Sequence, residues 1–260
     1  MSNQPRLHVK NGALRALIVQ EMARLGPYAD LNHIDVSAIS DMSYLFASED
    51  VQGLPLDDGV GDFDGDISRW DTSKVSTMKG MFLRSEFAGE VANWDVGRVE
   101  NMYEMFSHSR FDGDLSAWDT SRVNFMARMF YGAQFDGDIS DWDVSAAVDM
   151  GSMFQESRFK GDISKWDVSH VQKMDGMFQG AQFSRDIGNW NVSSVEDMCY
   201  MFTDSQFKGD ISRWNVSKVK DFFHMFRDSG LPKAHTLLAG GAPLVAALQT
   251  TASGQTSNPR

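Results

Sequence analysis

The sequence predicts an α/β repeat fold: a curved solenoid with one short parallel strand and one short helix per 24-residue unit, capped by an N-terminal helix. Three observations predict it. The seven tryptophans, Trp70, Trp94, Trp118, Trp142, Trp166, Trp190 and Trp214, each lie 24 residues after the last. One phrase surrounds each of them, clearest at 63–86, with Phe63, Ile67, Trp70, Val75, Met78, Met81 and Phe82 as its apolar positions. The single cysteine, Cys199, excludes an intramolecular disulfide, so packing between units must hold the array. A fixed period of this length marks stacked supersecondary units that bury a continuous core only together.

In chain order, residues 1–26 form a tail and a capping helix. Leu14, Leu17, Ile18, Met22 and Leu25 make one helical stripe, which Gly26 and Pro27 end. Residues 27–62 hold a degenerate first repeat: Asp30 to Ser37 aligns with Asp66 to Ser73, Ile34 takes the tryptophan place, and Ile39, Met42, Leu45 and Phe46 match Val75, Met78, Met81 and Phe82. Its spacing to Phe63 exceeds the regular one by 12 residues, all within the acidic stretch Ala47–Asp62. Seven regular repeats fill 63–230. A C-terminal cap and a polar, disordered tail fill 231–260.

Within a unit, Val75, Met78, Met81 and Phe82 have the spacing of one helix face. Ser73 stands where an N-cap would, and Ser193-Ser-Val-Glu196 reads as a capping box. Gly65-Asp-Ile-Ser-Arg69 reads as the strand. Gly65, Gly89, Gly113, Gly137, Gly161 and Gly209 form a column expected to need positive φ, interrupted by Arg185. Strands about 4.8 Å apart and helices about 8–10 Å apart would bend the array, with the strands on the concave side.

Equivalent positions in a repeat array align in space, so function is sought in columns. The column Asp66, Glu90, Asp114, Asp138, Asp162, Asp186 and Asp210 is acidic in every regular unit. It is the candidate binding column, on the concave face, for cations or a basic ligand; hydrogen bonding to adjoining turn amides is the stronger, structural alternative. A second column, Asp71, Asp95, Asp119, Asp143, Asp167, Asn191 and Asn215, reads as Asx turns, with Lys74, Arg98, Arg122, His170 and Lys218 three residues on. The tryptophan column is core, each indole N–H held by a loop carbonyl. Variable positions, among them Lys79, Tyr103, Ala127, Asp175 and Phe223, and Arg84, His108, Glu156, Asp204 and Asp228, are where a rigid frame would present recognition side chains.

Several function classes are excluded. A net charge of −12 disfavours nucleic acid and suits a basic protein partner. The six histidines share no metal spacing, and no nucleophile elbow or phosphate loop is present, so the chain reads as non-catalytic, with no cofactor and no metal. The run Asp57–Asp66 fails as an EF-hand, since from Asp62 the glycine falls fourth and Ser73 twelfth. Cys199 sits on the outer face with nothing to activate it. No apolar run spans a membrane, and no signal peptide or anchor motif is evident, so the chain as written reads as cytoplasmic.

The phrase Phe63-Asp-Gly-Asp-Ile-Ser-Arg-Trp70-Asp-Thr-Ser-Lys-Val75, continued by Met78, Met81 and Phe82, resembles the repeat of the BspA-like family, the bacterial surface-protein 26-residue repeat, over about 27–230. The resemblance implies a leucine-rich-repeat-like solenoid at the cell surface or secreted, adhering to host or matrix proteins without enzymatic activity. The missing export signal favours the alternative of an intracellular or effector-like binding protein. A structural cation- or mineral-binding lattice is the further alternative.

Overall fold

The computed structural model describes residues 7–8, 10 and 12–230; the expected C-terminal cap and tail lie outside them. Strand β1 (Leu7–His8), expected within a loose tail, pairs in parallel with β2 (Ile34–Asp35). Helix α1 spans Leu14–Leu25 and buries Leu14 and Ile18, while Leu17 and Met22 pack at the edge of the core. Gly26 ends it at φ 87°, a left-handed value that disfavours other residues, and its N–H caps the Met22 carbonyl.

The units stack in register. Parallel bridges join Thr77, Asn101, Phe125, Asp149, Lys173, Asp197 and Asp221 in succession. The degenerate unit joins the same ladder through Asp41 and Thr77, 36 residues apart, the period plus 12. Every indole N–H donates to a carbonyl one unit back, from Trp94 to Ile67 at 3.2 Å through Trp214 to Ile187 at 3.2 Å. Trp70 makes the same bond to Leu31 at 3.1 Å, again 12 residues longer in sequence. Phe82, Phe106, Phe130, Phe154, Phe178 and Phe202 stack at 5.4–5.9 Å, their planes nearly parallel, beside the Phe63 and tryptophan ladders. These rings and the Met78 and Met81 columns are buried and make one continuous core.

The helix expected at 75–82 does not form; the segment is a chain of turns. Its amides alternate in direction. Met81, Leu83 and Ser85 donate within the unit, to Met78, Gly80 and Phe82. Met78, Gly80, Phe82 and Arg84 donate to Asn101, Tyr103, Met105 and Ser107 of the next unit at 2.7–2.9 Å. An α-helix sends every amide back to its own carbonyls, so this inter-unit ladder and a helix exclude each other. The alternation needs two left-handed residues per unit. They are Gly80, Glu104, Arg128, Ser152, Gly176, Tyr200 and His224 in one column, and Arg84, His108, Gly132, Glu156, Gly180, Asp204 and Asp228 in the other. Each non-glycine in that conformation costs about 1–2 kcal/mol, which the inter-unit bonds and ring stacks must offset. The capping roles go with the helix: Ser73 directs both its N–H and its hydroxyl to Asp71, and Glu196 pairs with Lys220. The strand is likewise reduced to the single bridge Asp30–Asp66, so the strand–helix mismatch expected to curve the array does not arise.

The glycine column also has another cause than the one expected. Gly65, Gly89, Gly113, Gly137, Gly161 and Gly209 do not have positive φ. A Cβ at Gly113 would stand 2.7 Å from the Phe111 ring, and at Gly161 2.6 Å from Phe159. The phenylalanine two residues earlier folds against the bare backbone, and glycine makes room for it.

The 12-residue insertion completes the N-terminal cap. The carbonyls of Leu45 and Ala47 are the equivalents of Met81 and Leu83, which accept amides from a preceding unit that the first unit lacks. Arg15 of α1 supplies the donors instead, reaching Tyr44, Leu45 and Ala47 at 2.6, 3.0 and 2.9 Å. Asp58, within the insertion, grips the same guanidinium through both oxygens at 2.7 Å. That bond and the surrounding turn amide hold the Asp58 carboxyl below its ordinary range although partial burial acts to raise it.

Candidate interaction face

The expected binding column is committed first to the backbone. Asp66, Asp114, Asp138, Asp162, Asp186 and Asp210 each accept the N–H two residues on at 2.8–2.9 Å. Those amides, with the serine hydroxyls of Ser116, Ser140 and Ser164, hold Asp114, Asp138 and Asp162 below the ordinary carboxyl range. Glu90, whose side chain is one methylene longer, makes no such turn bond among the described residues. The second column does the same: Asp71, Asp95, Asp119, Asp143 and Asp167 accept at 3.0–3.1 Å, and Asn191 and Asn215 at 3.2 Å. Asn serves as well as Asp because the bond needs an acceptor oxygen, not a charge.

A third Asx column went unread in the sequence because its residue type changes from unit to unit. Asp41, Asn101, Asp149, Asp197 and Asp221 accept amides two residues on, while Phe125 and Lys173 hold the same place without one. Beside it lie the variable positions, and here the left-handed turns present side chains outward. In the first four units they form a connected run. The Lys79 ammonium lies 5.7 Å from the Tyr44 ring and 5.0 Å from Tyr103; Arg128 lies 5.0 Å from Tyr131. Glu104 pairs with Arg128 at 2.9 Å, and His108 meets Tyr131 edge-on at 4.5 Å. Burial, then the neighbouring Arg84, lowers the His108 pKa, so the imidazole is neutral near pH 7. Burial pushes the Tyr44 hydroxyl up to about 12. Phe125, nearly half exposed, lies in the same units.

The later units carry acid instead. Asp175 is half-buried, and that burial, with Asp197 and Asp149 nearby, raises its pKa. A carboxyl raised in the folded state contributes stability while protonated and loses it as pH climbs through the carboxyl range. Asp175→Asn is therefore expected to raise the melting temperature at pH 7, with the gain vanishing toward pH 3. Thermal unfolding across that range checks it; an equal gain at both pH values would contradict the electrostatic account. Burial and the Asp197 hydrogen bond push the Cys199 thiol up to about 12, which disfavours the thiolate. Asp197, Cys199 and Asp221 bring ligand-type atoms within 4.8 Å, a grouping the linear spacing hid. One oxygen of each carboxylate already holds a turn amide. Of the histidines with described side chains, His33 pairs with Glu21, His170 is exposed beside Ser169, and His224 lies against Phe223; none joins a metal cluster.

A family model described as Mycoplasma protein of unknown function, DUF285, matches residues 56–161 and again 150–234. The chain belongs to that family. The matched span takes in all seven tryptophan units, whereas α1, the first unit and most of the insertion precede it. No curated protein and no solved structure matches. No helix of the described residues is long and apolar enough to cross a membrane.

Proposed function

We propose that the chain is a non-catalytic interaction scaffold: a repeat solenoid whose stacked units hold Tyr44, Lys79, Tyr103, Arg128, Tyr131 and His108 as one recognition surface for a protein partner. The observation that carries this is the cation–π run through Tyr44, Lys79 and Tyr103, continued by Arg128 to Tyr131. Tyrosine and arginine dominate interface hot spots, and side chains already held by their neighbours lose little freedom on binding. The resemblance of the repeat to BspA-like proteins makes adhesion to a host or matrix protein the first form of this reading. An intracellular partner is the alternative. The acidic column is a weaker surface, because one oxygen of each turn-forming aspartate is already occupied.

The test is binding of the purified chain to immobilised matrix proteins. The parent is expected to bind, and Tyr103→Ala with Arg128→Ala to weaken binding more than tenfold. Asp114→Asn with Asp138→Asn is expected to leave it unchanged. The reverse pattern would move the site to the acidic column and favour a basic partner. No binding by the parent would sink the adhesion reading, and protection of the protein from protease on intact cells would favour the intracellular one.

A further inference from the structure

We infer that the concavity beside Lys74, Arg98 and Arg122 is a binding site for an anionic sugar, a saccharide bearing a sulfate or phosphate group. These three cations occupy one column in three successive units. The same place is Ala38 before them and Ala146, His170 and Ser194 after, until Lys218 in the last unit, which has no cationic neighbour in the unit before it. They line a single concavity of about 540 Å³ with Ser40, Ser76, Asp95, Gly97 and Glu100.

The column was expected to pair with the aspartates three residues earlier. In the structure none of the three cations forms an ion pair within 4 Å among the described residues, although arginine and lysine elsewhere do so repeatedly. Asp71 and Asp119 are turned into their own Asx turns, and feel Lys74 and Arg122 only at longer range. Three like charges held side by side at a surface repel each other, and an anion between them relieves that. Two are arginines, whose forked donors fit a tetrahedral oxyanion in pairs.

The floor is opened by Gly97. The regular units on either side have Ser73 and Ser121 at its place, and a Cβ there would stand 3.2 Å from an Asp119 oxygen. The rim narrows the ligand class. Asp95 and Glu100 also line the concavity, and their carboxylates would repel a bare dianion while accepting hydroxyl hydrogens. Cations to hold a charged ester, with carboxylates and Ser76 to bond hydroxyls, suit a charged sugar better than inorganic phosphate or sulfate. This site stands in a different column from the tyrosine–cation run and does not depend on that run binding a partner.

The experiment is calorimetric titration of the purified chain at low salt with a sulfated heparin disaccharide, glucose 6-phosphate, uncharged glucose and inorganic phosphate. One or both charged sugars are expected to bind at least tenfold more tightly than glucose or phosphate; which of them does identifies the ester. Arg98→Gln with Arg122→Gln, both exposed and so compatible with folding, is expected to weaken that binding at least tenfold. Glu100→Gln is expected to weaken the sugar and to strengthen inorganic phosphate. Absence of binding by both charged sugars, undiminished binding by the double variant, or equal affinity for inorganic phosphate would each overturn the assignment.

Discussion

Trp142→Ala is expected to lower the stability of the array by about 3–5 kcal/mol, the range for truncating a large buried aromatic. Trp142 is 4% exposed, stacks on Trp118 and Trp166 at 6.5 Å on either side, and touches Phe130 at 6.2 Å. Its indole also donates to the Leu115 carbonyl at 2.9 Å, so truncation removes an inter-unit bond as well as opening a cavity, although that carbonyl keeps the Trp118 amide. Repeat arrays hold together through nearest-neighbour interfaces, and this residue belongs to two of them. Its loss should broaden the denaturation transition as well as shift it, because the two halves become less coupled. Urea unfolding followed by circular dichroism reads both; an unchanged midpoint would contradict the placement of the tryptophan ladder in the core.

Arg15→Ala is expected to cost about 2–3 kcal/mol, although Arg15 lies outside the repeats. It removes charge-assisted bonds to three carbonyls and a forked ion pair, and hydrogen bonds to charged groups each contribute roughly 1.5–3 kcal/mol before solvent screening. The discount matters here, because the Arg15 and Asp58 side chains are 23% and 31% exposed. Arg15→Lys should recover little, since an ammonium cannot reach the carbonyls and both Asp58 oxygens at once. Hydrogen exchange at Met42, Tyr44, Phe46 and Ser48, whose amides bond the second unit, locates the damage. Accelerated exchange there, with slow exchange kept beyond Phe130, is the expected pattern; uniform acceleration would mean that Arg15 does not act as an end cap.

The expected helix and the expected role of the glycine column failed for different reasons. An apolar pattern at i, i+3, i+6 and i+7 reports which side chains face the core but not where the amides go. In this unit every second amide leaves for the next unit, a long-range bond to which local spacing is blind. The alternating left-handed residues could have been a warning, yet Glu104, Arg128, Tyr200 and His224 are not residues that announce positive φ. Gly113, which looked like such a residue, instead serves the ring of Phe111. The interaction face was legible as a set of variable positions, Lys79, Tyr103 and His108 among them. That Lys79 lies between two tyrosines of neighbouring units was not.

By itself the sequence determined the 24-residue period, the buried columns of Trp, Met and Phe, the degenerate first unit, the 12-residue insertion and the Asx turns. Each of these is a property of residue type repeated at fixed spacing, and repetition makes even a weak local preference readable. Only the tertiary structure decided that turns replace the helix, that Arg15 and Asp58 close the first unit, and that Lys74, Arg98 and Arg122 share a concavity without an ion pair. Those features arise where backbone or side chains of different units meet, and the geometry of that meeting is set by stacking rather than by any single unit.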